Sequence, residues 1–123
     1  MKNIFLIIFL FFSSQFVNGQ VHAEKYKDGN LSQKLDNCFR SLTFERNELT
    51  LTMTIVAPNG VKVSVDFEID AAGPDPYNSN ATAFDVHSED GLKTSFVFYH
   101  NVNKVYMYDG GTEIYYTGSG LSY

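Results

Sequence analysis

One cysteine, no tryptophan and three prolines are present among 123 residues. A lone Cys38 cannot close a disulfide within the chain or supply a cysteine-rich zinc tetrad. Positive charge is scarce: nine Lys and Arg stand against fourteen Asp and Glu, a formal charge of −5. That balance argues against a nucleic-acid binder, which needs a basic face to displace counterions from phosphate. The signatures HExxH, GxSxG, CxxC and the glycine-rich phosphate loop are missing. The reading therefore leans away from an enzyme and expects no catalytic residue, no metal and no cofactor. The length suits one domain.

Long apolar runs are also scarce. The one present, Ile4 to Phe12 (IFLIIFLFF), follows Lys2 and is broken by Ser13, Ser14 and Gln15. Val17 and Gly19 then occupy the positions three and one before Gln20, as signal peptidase prefers. The run is about half of the roughly 20 apolar residues that a membrane span requires. Residues 1–19 are read as a cleavable signal peptide and the protein as secreted, with no stable membrane insertion after cleavage. Cleavage takes Lys2 and leaves the chain one charge more acidic. In an oxidising compartment Cys38 is a buried small apolar residue, a bridge between two chains in a dimer, or a reactive thiol.

What the sequence has in quantity is alternation. Residues 20–37 are an exception, a polar N-terminal arm with a turn at Asp28-Gly29-Asn30, loose or at most a short helix over 31–36. Residues 38–123 read as a single antiparallel β domain. Leu49, Leu51, Met53 and Ile55 alternate with threonines; Val61, Val63, Val65, Phe67 and Ile69 alternate with Lys, Ser, Asp and Glu. A three-residue loop at Pro58-Asn59-Gly60 pairs Ile55 with Val63, Met53 with Val65 and Leu51 with Phe67, so all the apolar residues share one face. A two-residue loop would mix apolar with charged residues, and a slip of one residue turns the face inside out. The same reasoning at Glu89-Asp90-Gly91 pairs Val86 with Thr94 and Phe84 with Phe96. At Gly110-Gly111 a two-residue turn pairs Met107 with Ile114 and Val105 with Tyr116.

The resulting strands are 38–46, 48–57, 61–70, 83–88, 92–100, 104–109 and 112–117, with 71–82 a long loop that carries two of the prolines. About seven strands joined by hairpins make an all-β fold, a sandwich or small barrel. The alternative is an α+β curved sheet wrapped on a short N-terminal helix, forming a cone with a pocket.

Tyrosine supplies the candidate site. If Val105, Met107, Ile114 and Tyr116 face the core, Tyr106, Tyr108 and Tyr115 face outward together. Such a cluster offers large rings, polar tips and few torsions to freeze, suited to a protein or carbohydrate partner. Among the histidines, His87 falls on the polar face opposite Lys93, and His100 shares a face with Phe96 and Phe98; His22 lies in the arm. Asp66, Glu68 and Asp70 line one solvated face. Two glycosylation sequons begin at Asn30 and Asn80, both in expected loops. The expectation is a secreted binding module that uses an aromatic sheet face. The alternatives are a pocket protein that binds or transforms a small apolar ligand, and an assembly protein that pairs through an edge such as 117–123.

Overall fold

The alternating pattern dictates strands, and strands are what form. The computed structural model describes residues 20–123, and residues 1–19, for which a signal peptide is expected, lie outside the described residues. Ten strands follow in order: β1 (Val21–Lys27), β2 (Asn30–Phe39), β3 (Ser41–Arg46), β4 (Thr50–Val56), β5 (Lys62–Asp75), β6 (Asn78–His87), β7 (Lys93–Tyr99), β8 (Lys104–Asp109), β9 (Thr112–Thr117) and β10 (Leu121–Ser122). They form one sheet in the order β10-β3-β4-β5-β6-β7-β8-β9-β1-β2. The fold is all-β, and no helix occurs among the described residues.

From β3 to β9 the chain is an antiparallel meander, and β9 then pairs back to β1. β2 runs into β3 through the single residue Arg40. Phe39 still faces Val21 of β1, whereas Ser41 already faces Val56 of β4. One bent strand thus changes partner at Arg40, and the ladder returns on itself as a barrel-like ring. β10 wedges in beside this bend. Leu121 pairs in parallel with Leu42, the Leu42 N–H donates to Gly120 O (3.0 Å), and the Gly120 N–H donates to Gln20 O (3.0 Å).

The hairpin registers are those the sequence dictates. Ile55 faces Val63, Met53 faces Val65 and Leu51 faces Phe67. Ala57 and Val61 close the three-residue loop at 2.8 Å, with Gly60 at φ 91°. Val86 faces Thr94, Phe84 faces Phe96, Met107 faces Ile114 and Val105 faces Tyr116. Gly110 and Gly111 both take positive φ, as a twisted two-residue turn requires. The inward side chains fill the ring. Phe96 is fully buried at its centre, edge-on to Phe44 (5.4 Å) and Phe67 (5.5 Å).

Two expectations are corrected. The polar arm is neither loose nor helical: it supplies β1 and β2, whose partners are β9 and each other. Its pattern hides this because β2 is mostly exposed and the β1–β2 ladder is broken by two register shifts. The long loop 71–82 is instead a continuation of β5 and β6 with a tight turn after Asp75. Pro74 is tolerated there because the β4 ladder ends near Ile69, whose N–H donates to Leu49 O; beyond it that side of β5 is an edge and needs no donor. The terminal segment forms β10, which pairs in parallel with β3 of the same chain and stands at the end of the strand order.

Candidate functional site

Inward alternation does not stop where the apolar residues stop. Two positions beyond Phe44 on β3 is Arg46, two before Phe84 on β6 is Thr82, and two after Phe98 on β7 is His100. Strand geometry sends each to the same side as its phenylalanine, so all three gather at one end of the barrel. They rim a cavity of about 720 Å³ floored by Phe44, Leu51, Phe84 and Phe98.

The floor is rigid. The Phe98 ring lies 5.0 Å from Phe44 and 5.4 Å from Phe84, both edge-to-face. Arg46 places its guanidinium carbon 4.9 Å from the centre of the Phe84 ring, a cation–π contact that holds the charge at the opening. The Thr82 hydroxyl and His100 Nε2 are 2.7 Å apart, and the His100 N–H donates to Asn80 O at 2.8 Å.

The remaining wall is the C-terminal segment. The Tyr123 ring lies 5.2 Å from Phe98. Its hydroxyl accepts from the Lys104 N–H (3.1 Å) and sits among the carbonyls of Tyr99, Val102 and Lys104. The Asn103 side-chain amide donates to Gly118 O (2.8 Å) and Leu121 O (3.0 Å). The β7–β8 loop and the C-terminal tail are therefore stapled to each other, which fixes this wall of the cavity.

The tyrosines expected to form a contact surface lie elsewhere, on the outer face of the sheet. Tyr106 and Tyr115 do face outward and touch, with centroids 5.0 Å apart, and Tyr26 of β1 joins them edge-on at 5.6 Å. Lys104 caps the group, its ammonium 4.6 Å from the Tyr115 ring centre and 5.2 Å from that of Tyr99. Partial burial, with Glu113 beside it, pushes the Tyr106 phenol up to about 12. Burial also raises Tyr115, and a hydrogen bond to Glu24 raises Tyr26. These rings largely satisfy one another. Tyr108 is the exposed member, at 43%. A groove of about 530 Å³ beside them is lined by Tyr26, Tyr99, Lys104 and Tyr115.

The other candidates separate. His87 lies between Glu68 (3.0 Å) and Asp70 (2.8 Å) on the outer face. The two carboxylates meet opposite ring nitrogens and so cannot share one ion. Among the described residues no group of three or more His, Cys, Asp or Glu is arranged to hold a metal. His22 accepts from the Asn37 N–H (3.1 Å). Cys38 is half-buried beside the core, points its thiol at Val21 O (3.4 Å), and burial raises its pKa. Asn30 and Asn80 are both exposed, but they begin β2 and lie in β6 rather than in loops.

The sequence allows for a pocket but does not locate this one, because four strands and the tail build it and no single stretch carries its pattern. Its one local signal is the polar residue two places from each inward phenylalanine. No family model, curated protein or solved structure matches this chain.

Proposed function

We propose that this protein is an exported binding protein that takes a small molecule in the mouth of its barrel. The observation that supports this is the cavity of about 720 Å³, apolar at its floor and polar at its rim. Small-ligand sites have this character, concave and roughly 300–1,000 Å³, with a few convergent polar groups. Filling the mouth tests it. Thr82→Trp places an indole where the ligand would lie, on a half-buried residue at the strand end. Compounds that raise the melting temperature of the native protein are expected to lose that effect in Thr82→Trp. Hits that stabilise both equally would place binding elsewhere.

The aromatic outer face supports a second reading, a module for a protein or carbohydrate partner, because Tyr108 is exposed and a groove flanks the tyrosine group. Tyr108→Ala is the clean probe, since Tyr106 is engaged with Tyr115. Loss of partner capture with an unchanged melt supports this face, and unchanged capture removes it.

A further inference from the structure

The charge pattern around the mouth runs against that of the whole chain. Acidic residues outnumber basic ones by fourteen to nine, yet no Asp or Glu side chain lines this cavity. Arg46 and His100 do. Among the described residues neither pairs with an Asp or Glu carboxylate within 4.0 Å, and the Arg46 guanidinium donates no hydrogen bond. Arg40, in contrast, is engaged: it donates to Pro58 O at 2.8 Å. A guanidinium held over Phe84 with its fork of donors unused is equipped for a planar oxyanion.

We infer that the ligand class of this site is an organic anion with an apolar body, its carboxylate or similar oxyanion held by Arg46 and its body laid against Val102 and Tyr123 above the phenylalanine floor. This rests on the pocket reading above and adds the sign of the head group. Arg46 supplies direction and charge, whereas the accessible apolar area comes from Val102 and Tyr123, the exposed apolar side chains of the lining. The Thr82 hydroxyl, beside His100, offers a further polar contact at the same rim.

Matched pairs test the head group separately from the pocket. Titration calorimetry on the native protein compares 2-naphthoate with 2-naphthamide, and decanoate with decanamide. Each acid is expected to bind at least about tenfold more tightly than its amide, the scale of a charge-assisted pair. Arg46→Met is expected to abolish that preference by weakening the acids to the level of their amides, and Arg46→Lys to restore part of it. Arg46 is exposed at a strand end, so an unchanged melt is expected. Should the variant unfold, the acid–amide comparison on the native protein decides by itself. Equal binding of acids and amides overturns the anion assignment and leaves the pocket standing. Binding of neither pair overturns both.

Discussion

His87 Nδ1 stands 2.8 Å and 2.9 Å from the two carboxylate oxygens of Asp70. A bulge makes this pair. Glu68 faces His87 and Ile69 faces Val86, but Ala71 rather than Asp70 faces Asp85, so Asp70 is the extra residue and turns toward the imidazole. The hydrogen bond to Asp70 is the main cause that raises the His87 pKa above 6.5, with Glu68 adding to it. The folded state therefore holds its proton more tightly than the unfolded chain. The stabilisation is complete below about 6.5, the unfolded value, and is lost as pH rises through the raised folded value. The melting temperature is expected to fall over that window, and Asp70→Asn to flatten the fall. An imidazole NMR titration that places His87 at or below 6.5 would refute the pairing.

Tyr106 and Tyr116 give an alkaline counterpart. Burial pushes both phenols up to about 12, against about 10 in an unfolded chain. Between those values the unfolded state has released protons that the fold retains, so stability falls as pH rises from 10 toward 12. Ultraviolet titration of phenolate is expected to show a late, cooperative phase that coincides with loss of the β signal in circular dichroism. Because Tyr106 is only partly buried and water screens its surroundings, Tyr116→Phe is the variant expected to blunt this phase. Early titration of all eight tyrosines would contradict the burial.

The β4–β5 register makes a sharp contrast between neighbours. Met53 belongs to the core, and an aspartate there would bury a carboxylate with no partner, a cost of several kcal/mol that a domain of marginal stability does not survive. Thr54 faces outward opposite Ser64, its hydroxyl 3.0 Å from the serine's, so Thr54→Asp is expected to cost about 1 kcal/mol or less. Thr52 is a poorer control, since it faces Asp66 and donates to it at 2.7 Å. Equal melts for Met53→Asp and Thr54→Asp would reject the register.

Ring closure depends on Gly118. At φ 123° it holds a conformation that side chains rarely adopt, and a methyl group there would overlap the Gln20 carbonyl. Gly118→Ala is expected to unseat β10 and lower the melting temperature by several degrees, the scale of a change above about 1 kcal/mol. Hydrogen exchange at Leu42, whose N–H donates to Gly120 O, is expected to quicken. Gly73→Ala serves as a control, because open space surrounds Gly73 and its φ is ordinary.

How far the sequence alone reaches depends on how local the physics is. Between Thr50 and Thr117 the β4–β5, β6–β7 and β8–β9 hairpins could be placed residue by residue. Alternation fixes which face is buried, and Gly60, Gly91 and Gly110-Gly111 supply the positive φ that sets loop length. Outward placement of Tyr106, Tyr108 and Tyr115 follows from the same periodicity. Only the tertiary structure decides the rest. β2 has too little apolar surface to announce itself and exists because β1 offers it a ladder. β5 passes through Pro74 because β4 has already ended. Arg46, Thr82 and His100 lie 18 to 54 positions apart in sequence; ring closure makes them neighbours around one cavity, and distant pairing of that kind leaves no local pattern to read.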